Sequence, residues 1–249
     1  MENKVPLEMF NEYSMGGKVE IFENYVMSGS NRRYYHYSED LVNRCVEMGK
    51  NRQGYHYPET DKWFYDALDK HDISQKQYLI IGSEDPYYEG IAISRGATVT
   101  MVEYQKVTSS HPMLNTMTVE EFEKEEYQYD GAISISSVEH SGLGRYGDPL
   151  DPDGDLKSMK FLHKKLKPGA LLFLSVPIGK DQILWNAHRV YGKVRFPLLI
   201  DGFKIIETFG LIESDYDVDE NLRRVNGKKP HREGCNGGAH QPIYILKRI

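Results

Sequence analysis

The stretch Tyr78–Tyr104, YLIIGSEDPYYEGIAISRGATVTMVEY, decides the fold. It opens on a short apolar run, Tyr78 to Gly82, that lacks polar alternation, as expected of a strand covered on both faces. PYYEGIAISRG then reads as a helix, with Pro86 at the first position, where a missing N–H costs nothing, and Gly96 as its stop. Thr98 to Tyr104 is a second apolar run. Strand, helix and strand within about 30 residues form a βαβ unit, and that unit implies a parallel sheet.

Outward from this unit the same grammar continues. DGAISISSV (Asp130 to Val138) and ALLFLSVP (Ala170 to Pro177) are two further buried strands. Before the second lies DLKSMKFLHKKLKPG, a predicted helix with Leu156, Met159, Leu162 and Leu166 on one face, a lysine-rich end suited to a helix C-terminus, and Pro168 and Gly169 to close it. FKIIETFG (Phe203 to Gly210) and PIYILKRI (Pro242 to Ile249) read as a sheet-edge pair around a polar, glycine-rich insertion containing Asn221 to Gly238. Residues 1–75 differ in character. They hold RRYYHYS (Arg32 to Ser38) and GYHYPETDKWFYDAL (Gly54 to Leu68), the latter helical from Pro58, with acidic Glu59 and Asp61 in the first turn and Trp63, Phe64, Ala67 and Leu68 at helical spacing. The organisation expected is a tyrosine-rich helical flank or lid over 1–75 and a Rossmann-like α/β domain over 76–249.

Composition bounds the function. The 249 residues carry 31 basic and 37 acidic side chains, a net charge of −6, which offers no electrostatic footprint for nucleic acid. Cys45 and Cys235 are too few for a disulfide framework and lie too far apart for a zinc-type pair. The first 15 residues contain no apolar core of a signal peptide, and Ala170 to Ile178 is far short of a membrane span. A cytoplasmic protein with no membrane or nucleic-acid partner is expected. The 18 tyrosines exceed the needs of a minimal core, which points some of them toward a ligand or an interface.

In an open α/β sheet, ligands bind beyond the carboxyl ends of the strands where strand order reverses. The residues there are Gly82, Ser83, Glu84, Asp85 and Pro86 after the first strand, Glu103 and Tyr104 after the second, and Ser136, Ser137, Val138, Glu139 and His140 after the third. Glu103 lies 21 residues beyond Gly82, the spacing at which a carboxylate accepts the hydroxyls of an adenosine ribose; the alternative is a solvated or capping glutamate. The full dinucleotide fingerprint is missing. A pyrophosphate at this helix N-terminus would meet Glu84 and Asp85, and one such contact at ~4 Å costs on the order of 4 kcal/mol at an effective dielectric of 20. A nicotinamide-dependent oxidoreductase is disfavoured for that reason. S-adenosylmethionine brings an ammonium and a sulfonium instead, and the acidic turn suits it, although Asp85 also reads as a helix cap.

The series YLIIGSEDPYYEG, TVTMVEY, YDGAISISSVEH, LKPGALLFLSVP resembles the core of the class I S-adenosylmethionine-dependent methyltransferases. Within that superfamily, SSVEHSGLGRYGDPLDPDGDL and VPIGKDQILWNAHRVYGKVRFPLLIDGF resemble the methyltransferase-like domain-of-unknown-function family 268. The resemblance implies a three-layer, mostly parallel seven-stranded sheet with an antiparallel last strand. It also implies cofactor contacts from Gly82, Glu103 and the stretch around Thr118, Val119 and Glu120. The first loop departs from the usual pattern by lacking a second glycine.

Methyl transfer is an in-line displacement, accelerated mainly by alignment, with a base added for a hydroxyl acceptor. His140 is the candidate base, because it follows the third strand and titrates near neutrality, with Glu139 to orient it or to bind the cofactor amine; alternatively the pair caps the strand. In the loop GLGRYGDPLDPDGD, Arg145, Tyr146 and Asp148 are candidate acceptor contacts. Asp151, Asp153 and Asp155 do not follow the EF-hand order and read as turn chemistry and a helix cap, with no metal expected. By the resemblance, Trp185, Asn186, His188 and Arg189 stand where acceptors are bound, in a mixture suited to sugars; the alternative is a packed helix with Trp185 and Val190 inward. His231, Cys235 and His240 lack a fourth partner for a metal. The function expected is O-methylation of a small-molecule or glycan acceptor, and the rival is a catalytically inactive binding or scaffold protein of the same fold.

Overall fold

The computed structural model describes residues 4–26, 34–219 and 240–249. The N-terminal region forms a one-turn helix α1 (Phe10–Tyr13), strands β1 (Glu20–Asn24) and β2 (His36–Tyr37), and helices α2 (Glu39–Lys50) and α3 (Pro58–Lys70). Ser38 caps α2 by accepting the Leu41 N–H at 3.3 Å. Helix α3 starts at Pro58, and Phe64, Ala67 and Leu68 enter the core. Its Asp61 does more than complement the helix dipole. Fully buried, it accepts the N–H groups of Tyr55 and Tyr57 at 2.8 and 3.2 Å and the Tyr88 hydroxyl at 2.9 Å.

The deciding stretch folds as β3 (Gln77–Ile81), α4 (Tyr87–Ser94) and β4 (Thr98–Glu103). There follow β5 (Thr108–Ser109), β6 (Leu114–Thr118), α5 (Val119–Lys124), β7 (Tyr129–Ile135), α6 (Gly154–Lys165), β8 (Leu166–Ser175), β9 (Gln182–Asn186), β10 (His188–Val190), α7 (Phe196–Leu199), β11 (Phe203–Phe209) and β12 (Ile243–Arg248).

Seven of these strands form one sheet in the order β6–β4–β3–β7–β8–β12–β11. Five neighbours from β6 to β8 run parallel, and β12 is antiparallel to both β8 and β11. The chain builds outward from β3 through β4 and β6, then returns to lay β7 on the other side of β3. Strand order therefore reverses between β3 and β7, and a crevice is expected at their carboxyl ends. Alternate residues of β3 face opposite layers: Leu79 packs with Ala132, Met159, Leu162 and Leu172, whereas Tyr78 and Ile80 pack with Phe64, Ile91, Ile133 and Phe173. Each fully buried aliphatic or aromatic side chain of this kind stabilises the fold by about 1.5–3 kcal/mol. Burial on both faces is why the strand segments read as unbroken apolar runs.

Three local expectations need correction. Helix α6 ends at Lys165, before Pro168 and Gly169, because Leu166 is already extended as the first residue of β8; the Lys165 ammonium turns inward to the carbonyl of Phe122 at 2.7 Å. Pro168 and Gly169 instead lie in a bulge of β8: Tyr129 faces Leu166 while Gly131 faces Leu171. The tail segments do pair, but β12 is an interior strand and only β11 lies at the edge. The segment from Trp185 to Val190 is not a helix. It contributes to β9 and β10, which form a second sheet with β1, and this sheet covers a third cluster of Val5, Tyr13, Val19, Leu143, Ile183 and Trp185. The N-terminal region thus supplies a strand as well as helices. Among the described residues, no helix is long and apolar enough to cross a membrane.

Candidate active site

The turn after β3 sits at the switch point, and its geometry follows from one glycine. Gly82 adopts φ +69°, and a Cβ there would stand 2.4 Å from Ser137 Oγ, so only glycine lets the ends of β3 and β7 approach this closely. The Ser83 N–H points across to β4 and donates to Glu103 Oε2 at 3.2 Å, while the Tyr104 N–H donates to Oε1 at 2.8 Å. The half-buried Glu103 carboxylate is thereby fixed in orientation. In the β4–β6 ladder Thr118 stands directly opposite Glu103, which brings the edge implied by the resemblance to the same rim.

The other residues of the turn divide by task. Ser83 Oγ lies 2.6 Å from the Asp85 carbonyl and 3.1 Å from Glu89 Oε2, and the Tyr37 hydroxyl donates to the Ser83 carbonyl at 3.2 Å. Asp85 caps α4, accepting the Tyr87 N–H at 3.2 Å, and holds His56 Nε2 at 3.1 Å. Burial opposes protonation of His56, but Asp85, with Asp61 and Glu84 behind it, outweighs burial and raises its pKa. Glu84 and Tyr104 are exposed at the rim. Pro86 and Val138 turn inward, Val138 into the second core layer, so neither offers a side chain to a ligand. Thr118 spends its hydroxyl on the Glu121 N–H in a capping box, and Val119 is half-buried against the core.

At the end of β7, Ser136 has φ +51°, a conformation that costs a non-glycine residue on the order of 1 kcal/mol. The twist aims its hydroxyl at the centre of a hydrogen-bonded chain. The Tyr57 hydroxyl donates to Ser136 Oγ at 3.1 Å, and Ser136 Oγ donates to Glu139 Oε1 at 2.9 Å. Gln241 Nε2 adds a longer contact to Ser136 Oγ at 3.4 Å. Glu139 lies in a single 3₁₀ turn, Val138–His140, with no solvent exposure, and its Oε2 takes no hydrogen bond among the described residues. Burial pushes this carboxyl up to about 7, against its own backbone N–H, the Ser136 hydroxyl and Arg145.

His140 behaves differently from the sequence expectation. Its Nδ1 lies 2.7 Å from the Ala187 carbonyl. A carbonyl only accepts, so Nδ1 carries the proton and Nε2, 3.7 Å from Glu139 Oε1, is the bare nitrogen. Burial, Arg145 and His188 push the imidazole down to about 3. It is neutral at physiological pH and a weak proton acceptor.

The loop that follows is held mainly from within. Asp148 Oδ2 accepts the N–H groups of Gly142 and Gly144 at 2.7 and 3.1 Å, and its Oδ1 accepts that of Tyr146 at 3.2 Å, so this carboxylate shapes the loop rather than meeting an acceptor. Arg189 is fully buried, and its guanidinium serves the carbonyls of Ser141, Asp151 and Pro152 at 2.6, 3.3 and 3.2 Å. Trp185 is buried edge-on to Tyr13 at 5.0 Å, and Asn186 Oδ1 accepts the Val26 N–H at 2.9 Å. These four candidate acceptor contacts are structural. The other three gather around His140: Arg145 donates to the Ala187 carbonyl at 2.9 Å, as His140 does, Tyr146 sets its ring edge-on to His140 at 5.2 Å, and His188 stands beyond His140 at 6.3 Å.

Among the described residues no three His, Cys, Asp or Glu side chains gather as for a metal ion. Asp151 pairs with Lys157 at 2.6 Å and accepts the Asp153 N–H at 3.0 Å, as turn chemistry would have it, whereas Asp153 makes no side-chain cap on α6 and Asp155 is instead the buried ion-pair partner of Arg195 at 2.5 Å. His240 pairs with Asp215 at 3.1 Å, while His231 and Cys235 lie outside the described residues. Three residues at the site escape sequence reasoning: Tyr57, Glu89 and Gln241. The excess of tyrosine hints at Tyr57, but no spacing rule connects it with Ser136, 79 positions away.

A sheet of this strand order, mostly parallel with an antiparallel strand inserted beside the last parallel pair, is a Rossmann-like α/β fold. Residues 75–235 match the model of the family described as Caenorhabditis protein of unknown function, DUF268, and the chain belongs to that family. A comparison with curated proteins finds no match. Among solved structures, the chain is similar to the 1,6-didemethyltoxoflavin-N1-methyltransferase of Burkholderia thailandensis, at 12% identity and TM-score 0.49, over 84% of this chain and 79% of that one. It is similar to an S-adenosylmethionine-dependent methyltransferase of Mesorhizobium loti, at 11% identity and TM-score 0.45, over 75% and 98% of the two chains. It is also similar to the N-methyltransferase NodS of Bradyrhizobium japonicum, at 11% identity and TM-score 0.43, over 84% and 99%.

Proposed function

We propose that the chain binds S-adenosylmethionine and methylates an oxygen of a small or carbohydrate-like acceptor. One observation carries the reading: at the point of strand reversal, the Glu103 carboxylate is held by the N–H groups of Ser83 and Tyr104 beside a turn that is acidic rather than phosphate-binding. A carboxylate at the end of the strand that follows the βα turn is the group that accepts the hydroxyls of an adenosine ribose. Glu84 at the rim and Glu139 beneath it suit the cationic end of the cofactor and oppose a pyrophosphate. The residues to hold it are the Gly82–Asp85 turn, Glu103, the Thr118–Val119 edge and Ser136–Ser137. Once bound, the cofactor supplies an electrophilic methyl group on sulfur.

The chain's own part is alignment and exclusion of water. Arg145, Tyr146 and His188 line the acceptor side, and a guanidinium beside a phenol and an imidazole favours a polar, hydroxylated molecule. Tyr57, brought by residues 1–75 to Ser136, makes that region a cover for the crevice. Calorimetry with S-adenosylmethionine and S-adenosylhomocysteine tests the reading, with a nicotinamide dinucleotide as control. Both adenosyl ligands bind and the dinucleotide does not; Glu103→Ala weakens the adenosyl ligands by about tenfold or more, the worth of hydrogen bonds to a charged group, with the melting temperature little changed. Absence of adenosyl binding, or preference for the dinucleotide, overturns it. A second reading, a catalytically inactive binding module, draws on the weak basicity of His140. It predicts that a bound cofactor is never turned over, whichever polar acceptors are offered.

A further inference from the structure

We propose that Glu139 is the counter-charge for the cofactor's sulfonium, ionising when the cation binds and reclaiming a proton when the cation is gone. The inference rests on the S-adenosylmethionine reading above and assigns a role within it. Its ground is geometric. Glu139 is an acid with no solvent exposure at the reversal of strand order, and one oxygen is engaged by Ser136 while the other, Oε2, is buried without a hydrogen bond among the described residues. A buried acceptor left unpaired is costly, and a buried carboxylate without a cation more so. The side chain therefore favours its neutral form until a positive group arrives.

Among the groups already present, Arg145 favours the ionised carboxyl, but burial outweighs it. The charged and titratable groups around Glu139 are Tyr57 ahead of α3, Glu84 after β3, His140 in its own turn, Arg145 and Tyr146 in the next loop, and Arg189 and Tyr191 from the β10 segment. Tyr57, Tyr146 and Tyr191 are all held as phenols by burial, and His140 is held neutral. Arg189 spends its guanidinium on backbone carbonyls, reaching that of Glu139 itself at 3.4 Å rather than its carboxylate. Arg145 lowers the Glu139 pKa but is committed to the Ala187 carbonyl, and burial still leaves the carboxyl at about 7. At neutral pH the group is thus poised between its two forms.

The consequence for proton balance is direct. With an O–H acceptor, the oxygen–carbon bond forms as the carbon–sulfur bond breaks and sulfur keeps that electron pair. Glu139, having lost its cationic neighbour, takes the proton the acceptor gives up, so the net charge of the crevice is the same before and after. Between this carboxyl and His140, the carboxyl is the better proton acceptor near neutrality.

The test needs no acceptor. S-adenosylmethionine and S-adenosylhomocysteine share the adenosine, amine and carboxylate and differ in charge only at sulfur. Titration calorimetry in buffers of different ionisation enthalpy counts the protons released on binding each. Below neutrality S-adenosylmethionine releases up to one proton more than S-adenosylhomocysteine, the excess falls toward zero as pH rises, and the ratio of their affinities shifts toward S-adenosylmethionine by about tenfold per pH unit where the excess is near one. Glu139→Gln abolishes the difference. Ser136→Ala, which removes the hydroxyl that favours the ionised form, carries the extra release to higher pH. Equal proton counts for the two ligands overturn the proposal, as they assign any ionisation to the shared amine; so does a difference that survives Glu139→Gln. If neither ligand binds the wild-type chain, the methyltransferase reading itself falls first, and that outcome is distinct from both.

Discussion

Asp155→Asn tests the framework on which the acceptor side is built. Asp155 has no solvent exposure and accepts three hydrogen bonds, from Arg195 Nη2 at 2.5 Å on Oδ1 and from Arg195 Nε at 2.9 Å and the Tyr191 hydroxyl at 2.8 Å on Oδ2, with Arg189 Nε an ion-pair contact at 3.6 Å. Both arginines are themselves at most 2% exposed on their side chains. The Asp155 carboxyl is fully buried, which taken alone would raise its pKa, yet Arg189 and Arg195 hold it below the usual carboxylate value. Neutralising Asp155 leaves two buried guanidinium groups without their shared anion, and removing one partner of a buried ion pair costs about 3–5 kcal/mol. In a domain of this size each kcal/mol lowers the melting temperature by roughly 2–4 °C, so a fall of about 10 °C is expected in calorimetric or circular-dichroism melts. Asp155→Leu combined with Arg195→Met is expected to lose less than the sum of the single changes, since it removes charges together and leaves fewer uncompensated. The pH dependence has a definite sign: a depressed carboxylate contributes stability above its unfolded value near 4, and that contribution is lost as pH falls through the lower folded value. A change of less than about 1 kcal/mol at pH 7 for Asp155→Asn would refute the reasoning, because it would mean that the arginines are satisfied by loop carbonyls alone.

The remaining predictions concern the crevice. Gly82→Ala combines a left-handed φ with a Cβ 2.4 Å from Ser137 Oγ, so it is expected to cost about 1–2 kcal/mol in a denaturant melt; Gly82→Ala with Ser137→Gly recovers the clash but not the φ penalty. Glu139 has a folded pKa raised to about 7, so the stability it grants is present below its unfolded value and is lost as pH rises through 7. Glu139→Gln is therefore expected to be near neutral at pH 5 and stabilising at pH 8.5, by up to an order of 3 kcal/mol, as read from melts across that range. An unchanged difference between the two pH values would contradict the burial argument. Tyr57→Phe removes one donor from Ser136 and is expected to cost about 1 kcal/mol of stability, while weakening S-adenosylhomocysteine binding if the residues ahead of α3 cover the crevice.

What the sequence made legible follows the physics of burial. The strands β3, β4, β7 and β8 are covered on both faces, so their composition alone marks them, and the glycine turn and Glu103 follow from the βαβ unit they define. Strand β6, LNTMT, has one deeply buried side chain, Leu114, and its polar content hides it from the sequence pattern. The segment from Gln182 to Val190 is legible as apolar but not as strand, because its partner β1 lies some 160 residues earlier and no local pattern records a pairing at that distance. The same limit applies to side chains. The place of Glu139 and His140 after a strand marks them in the sequence, but whether each is a base depends on neighbours from Tyr57, Arg145 and Ala187, which only the folded chain brings together.

That pair shows why position and chemistry must be argued separately. Adjacent in sequence and both buried, Glu139 and His140 experience the same desolvation, which opposes charge on each; but the charged form is the base for a carboxyl and the acid for an imidazole. One environment therefore drives the two pKa values toward each other and past, the carboxyl up to about 7 and the imidazole down to about 3. The order of basicity found in water is inverted. A residue chosen as a base because its free pKa lies near neutrality is thereby disarmed, and its acidic neighbour becomes the group whose protonation a passing cation can control. Arg145 strengthens the inversion at the imidazole and moderates it at the carboxyl, so Arg145→Met is expected to raise both values, measurable as parallel shifts in the nuclear magnetic resonance titrations of the two side chains. Opposite shifts would show that the two groups titrate as a hydrogen-bonded pair rather than as neighbours in a common low-dielectric pocket.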